Sequence, residues 1–103
     1  MIRFKAVKVV IDGRFVLDEA DLQTRLAGAF GYGPFYGRDL AALRDRLTAG
    51  DPRPLELTWI HADAIRLALG GAAFRAYLTV FQAIEVADER KPWDERFIFR
   101  LFE

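Results

Sequence analysis

Few residues of this 103-residue chain have the type and spacing for chemistry. Asp39 and Asp45 fall in one predicted helix, six positions apart and so about 240° around its axis, and their carboxylates cannot converge as a general acid and base. His61 and Asp63 are two apart, yet the chain holds no serine or cysteine for such a pair to activate, and His61 reads as a residue at a helix start. One histidine and no cysteine cannot build a zinc centre, so neither metal nor cofactor is expected. The loop GYGPFYG, Gly31 to Gly37, has the glycines of a phosphate cradle. It follows a helix instead of a strand, loses an amide at Pro34 and ends without lysine, which argues against that use. The expectation is a protein that is not an enzyme.

What remains is an acid placed for binding. Leu40, Leu43 and Leu47 mark the buried stripe of the helix after the loop, and Asp45 lies about 165° from that stripe, facing solvent. Ala41 and Ala42 stand one turn before it and Arg38 at the mouth of the helix, so no long side chain on its own face screens it. From the residues alone two readings stand: a solvated acid paired with Arg38 or Arg44, or a projection offered to a partner. The loop is equally open. Its glycines can serve as helix cap, turn and close approach with Phe35 and Tyr36 tucked against the core, or as a backbone that another surface can reach.

The elements that must position these residues follow from periodicity and punctuation. Residues 2–11 read as a strand ending at the turn Asp12-Gly13. Asp18 caps a first helix whose buried stripe is Leu22, Leu26, Ala29 and Phe30 and whose end is Gly31. The second helix runs from about Asp39, its N-cap, to Thr48. It stops at the breaker Gly50 to Pro54, where Asp51 reads as an uninvolved loop acid. Leu55 to Trp59 alternates as a strand, and His61 to Leu69 reads as a short helix closed by Gly70-Gly71. A fourth helix buries Phe74, Tyr77, Leu78, Phe81 and Ile84, and Arg96 to Phe102 is the last strand. The order β-α-α-β-α-α-β, with helical crossovers, predicts an α/β domain with parallel strands and right-handed connections.

Composition bounds the rest. Residues 1–103 fit one domain, and 52% hydrophobic with 14% aromatic residues suffice for one core. Fifteen basic residues balance fifteen acidic ones, which argues against nucleic acid or an anionic membrane as partner. The N-terminus lacks a secretory pattern and no stretch approaches the roughly 20 apolar residues of a bilayer span, so a cytoplasmic protein is expected.

One stretch carries a family resemblance. FYGRDLAALRDRLT, Phe35 to Thr48, resembles the signature of barstar and its bacterial relatives, intracellular inhibitors of secreted ribonucleases. The Ile11-Asp12-Gly13 turn, Asp21-Leu22, Pro54-Leu55, Leu57-x-Trp59 and Val80-Phe81 agree in order and approximate spacing, so the resemblance covers nearly the whole chain. It implies a barstar-like fold, a three-stranded parallel sheet with helices packed against it, that blocks a ribonuclease active site with its second helix and the loop before it. An aspartate there stands in for an RNA phosphate, and by position it is Asp45. The partner-facing set becomes Phe35, Tyr36, Gly37, Arg38, Asp39, Ala41, Ala42, Arg44 and Asp45.

The departures from the family pattern are equally specific. Phe35 stands where a tyrosine is common, Asp39 where asparagine is frequent, and Arg38 and Ala41 where the family carries acids. Arg44 replaces a tryptophan, and a second inhibitor carboxylate would fall at Ala83. Between Phe35 and Thr48 three arginines face two aspartates, a poor lure for a basic cleft. The partner is therefore expected to be a less basic ribonuclease with an acidic rim or an unrelated toxin for which the chain is an immunity protein. Outside that class stands a regulatory or self-associating module that keeps only the scaffold.

Overall fold

Alternation sets the sheet. In β1, Val7–Asp12, Val9 and Ile11 are buried while Lys8 and Val10 are exposed, as a strand with one covered face requires. β2, Leu55–Ile60, buries Leu55, Leu57 and Trp59, and β3, Phe97–Leu101, buries Phe97 on the same side. The computed structural model describes residues 6–103, so the part of the expected first strand at residues 2–5 lies outside the described residues. The strands pair in parallel in the order β1-β2-β3, with Val9 beside Leu57 and Leu57 beside Phe99.

Helices α1, Glu19–Phe30, α2, Leu40–Asp45, α3, Ala62–Leu69, and α4, Gly71–Asp88, complete the expected β-α-α-β-α-α-β order. Asp18 caps α1 by accepting from the Asp21 amide at 2.8 Å, and Gly31 ends it at φ 74°, a left-handed position that glycine takes without a Cβ clash. The stripe of α1 differs from the expected one. Gln23 and Ala27 are buried with Leu22 and Leu26, whereas Ala29 is exposed and Phe30 half-buried, because the helix turns its Leu22–Ala27 face to the core. Around Trp59 stand Phe74, Tyr77, Phe81 and Phe99, with ring centroids 5.3 to 6.1 Å away, so α4 meets β2 and β3 through aromatic contacts.

α2 is shorter than the expected helix to Thr48. From Arg46 to Gly50 the backbone widens into a π-helical turn, in which the Asp51 amide donates to the Arg46 carbonyl at 2.9 Å. Leu43 and Leu47 are buried on either side of the change, which keeps the leucine stripe continuous.

α4 also serves the outer side of β3. Asp88 accepts from the Phe97 amide at 2.8 Å and Glu85 from the Phe99 amide at 3.1 Å. Both donors point away from β2. Glu85 follows buried Phe81 and Ile84 by four and one positions, and that helical phase brings it to the strand.

Candidate functional site

The loop between α1 and α2 is built by its tyrosines. Tyr32 stacks on Phe30 at 5.4 Å, leans on Tyr36 at 4.7 Å, and donates its hydroxyl to Asp51 at 2.5 Å. The Arg46 guanidinium lies 4.5 Å over the Tyr32 ring, a cation–π contact from the turn that follows α2. Asp51 is thus no uninvolved loop acid: the π-helical turn swings it back beneath Tyr32. Burial raises its carboxyl above the usual range, although the Tyr32 hydroxyl, Arg46 and Arg53 pull the other way.

Tyr36 is half-buried and donates to Gln23 at 2.5 Å. Burial pushes its hydroxyl up to about 12, with the Asp39 carboxylate adding to the rise, so it stays a neutral donor across the physiological range. Its neighbour goes the other way. Phe35 is 99% exposed, a whole aromatic ring in water. The two alternatives left open for this pair therefore divide between the residues, Tyr36 against the core and Phe35 away from it.

At Gly33 an added Cβ would meet nothing, so the backbone there is reachable from outside; at Gly37 it would come 3.2 Å from the Ala42 methyl, which fits a close approach. Arg38 sits at φ 55°, an uncommon backbone for a non-glycine residue, with its guanidinium 3.4 Å from the Thr24 hydroxyl. Asp39 spends its carboxylate on the helix, accepting from the Ala42 amide at 2.7 Å.

Asp45 projects as its helical phase requires, with 77% of its side chain exposed. Its ion-pair contact is Arg44 at 3.7 Å, a long and solvated pair of small energetic weight. Asp45 lines a shallow depression of about 410 Å³ with Phe35, Tyr36, Gly37, Ala42 and Arg46. The expected set therefore splits: Phe35, Tyr36, Gly37, Ala42 and Asp45 share one concave surface. Arg38 and Ala41 are exposed beyond its lining, Asp39 is engaged as a cap, and Arg44 faces a second hollow toward Ala83 on α4.

Sequence reasoning missed the supports of this loop, Gln23, Tyr77, Tyr32, Asp51 and Arg46. Gln23 did leave a signal. It precedes buried Leu26 and Ala27 by three and four positions, where a polar residue needs an internal partner. Among the described residues no group of three or more His, Cys, Asp or Glu side chains is arranged to hold a metal ion, and no helix is long and apolar enough to cross a membrane.

No curated protein matches this sequence. The family model described as "Barstar (barnase inhibitor)" matches residues 6–102. That span holds the whole three-stranded parallel sheet, all four helices and the loop that presents Asp45, and this chain belongs to the barstar family.

Proposed function

We propose that this chain binds a ribonuclease and blocks its active site, with the Gly31–Arg38 loop and α2 entering the cleft and Asp45 taking the place of an RNA phosphate. One observation carries the reading: Asp45, exposed on α2, lines the same depression as Phe35, Tyr36 and Gly37. An acid beside an exposed ring and reachable backbone offers an enzyme's anion site a charge, an apolar contact and close approach together. Family membership supports a ribonuclease as the general partner class. The chain would do this inside the cell that makes the enzyme, without chemistry of its own.

The cationic surroundings narrow the partner. Asp39 is engaged as a cap, which leaves Asp45 as the outward acid of a segment that also carries Arg38, Arg44 and Arg46. A cleft with an acidic rim suits this surface better than a uniformly basic one. The same cations favour, as a second reading, an immunity protein against a toxin of different chemistry.

The test is inhibition of a panel of small microbial ribonucleases, barnase among them, by the unmodified chain and by two variants. Against any enzyme that is inhibited, Asp45→Ala should weaken binding by on the order of 2 to 5 kcal/mol, chiefly through faster dissociation. That is the general range for truncating one member of a buried interfacial charge pair, with barnase–barstar itself among the known cases. Asp63→Ala, an exposed acid on α3, is the control and should change binding little. Equal, small effects from both variants would reduce Asp45 to a solvated surface acid.

A further inference from the structure

The inner side of the loop is tied to the core through one buried amide. Tyr77 donates its hydroxyl to Glu19 Oε2 at 2.9 Å, Gln23 donates Nε2–H to the Tyr77 oxygen at 2.7 Å, and Tyr36 donates to Gln23 Oε1 at 2.5 Å. The order of donors is not arbitrary. An ionised carboxylate can only accept, so Tyr77 must spend its single proton on Glu19 and accept from Gln23; the amide then has its oxygen left to receive Tyr36. Gln23 and Tyr77 are each 1% exposed, and without this chain their polar groups would be buried unpaired. Residues of α1, α4 and the loop are thus joined across 13 and 54 positions of sequence.

We propose that Gln23 is a positioning residue for the partner-facing loop: by holding the Tyr36 hydroxyl inward it fixes the backbone that carries Phe35 outward. Tyr36 and Phe35 are adjacent, so anchoring one ring against α1 sets the direction in which the other leaves the surface. The Tyr32 to Asp51 bond fastens the other end of the same segment. A loop held in its presenting shape before contact is spared the ordering cost that binding would otherwise exact. The use of that shape rests on the inhibitory reading above; the positioning itself is measurable on the protein alone.

Hydrogen exchange of the Tyr36 amide, which donates to the Gly33 carbonyl at 3.2 Å, gives the readout. Gln23→Met removes both hydrogen bonds at similar volume, and should speed exchange of this amide by about tenfold or more while amides of β1 and β2 keep most of their protection. Equal loss of protection in loop and sheet would mean that Gln23 is a general core residue, and unchanged loop protection would mean that it positions nothing; either result overturns the proposal. Tyr36→Phe, which deletes the last bond at a half-buried site, should speed exchange of the same amide even if Gln23→Met folds poorly.

Gln23→Glu is the rescue. Its neutral acid can accept from Tyr36 and donate to Tyr77 as glutamine does, whereas its carboxylate cannot donate and faces Glu19 across the Tyr77 hydroxyl. The charged groups around it are Glu19 from α1 and, about Tyr36, Asp39, Arg46 and Asp51. Relative to unmodified protein at the same pH, loop protection in Gln23→Glu should be restored in acid and lost in alkali; a pH-independent difference overturns the proposal. Asp45→Ala should leave loop protection unchanged, which separates failure of the positioning role from failure of the inhibitory one.

Discussion

Asp51 and Asp88 meet acid in opposite senses. Burial acts to raise the Asp88 carboxyl, but the Phe97 amide, Lys91 at 3.2 Å and Arg53 at 3.3 Å outweigh it and hold the group below its usual range. Its folded value is depressed, so Asp88 contributes stability above the unfolded pKa and loses it as pH falls through the folded one. Asp51 is raised, and its contribution is present in acid and lost as pH rises through its folded value. Asp88→Asn should therefore cost on the order of 3 kcal/mol at neutral pH, since Arg53 is left without its charge partner, and the deficit should shrink in acid. Asp51→Asn keeps an acceptor for Tyr32 and should leave neutral stability nearly unchanged. Urea unfolding across pH measures both; a deficit for Asp88→Asn that is constant with pH would contradict the assignment. Asp45 was legible in the sequence because Leu40, Leu43 and Leu47 fix its helical phase. Asp51 was not, because its role depends on a hydroxyl brought back from nineteen positions away, which no local period encodes.

Among the elements, strands and caps were legible because each rests on near neighbours: alternation at Val7–Asp12, Asp18 and Asp39 as N-caps, Gly31 as a left-handed stop. The π-helical turn after α2 was not, since Leu43 and Leu47 are buried whether the backbone there closes tightly or widens. Gly13 shows how closely the elements are fitted. It opens the 3-10 turn after β1, and an added Cβ would lie 2.2 Å from the His61 carbonyl oxygen and 2.7 Å from an Ile65 side-chain carbon. His61 itself holds φ 50° between β2 and α3, so that backbone has little freedom to retreat. Gly13→Ala should destabilise the fold by about 3 kcal/mol, near the upper end for overpacking because the obstacle is main chain. Gly33→Ala, where a Cβ meets nothing, should cost far less. Similar thermal midpoints for the two variants would refute this account of the β1–α3 junction.

At the scale of the whole molecule, fifteen cations balance fifteen anions, so attraction to a partner depends on how charge is distributed around the depression. Arg38→Glu, Ala41→Asp and Arg44→Trp together place acids and a flat ring around Asp45 at three exposed positions, with little expected effect on stability. Against barnase the unmodified chain should inhibit weakly. The triple variant should associate faster and inhibit more strongly, and its gain in association rate should shrink with salt as the screening length falls to about 8 to 10 Å near physiological ionic strength. A folded triple variant with no gain at low salt would show that charge is not what sets partner choice. The carboxylates of α4 at β3 bear on the protein at high concentration. Phe97 and Phe99 have their outward amides occupied by Asp88 and Glu85, so a strand from another molecule arriving at that edge finds its donors already taken. At these two positions the β3 edge of the sheet is capped by the protein's own helix, and removing the Glu85 cap, as in Glu85→Ala, should shorten the lag before fibrillar aggregates form while the fold still stands.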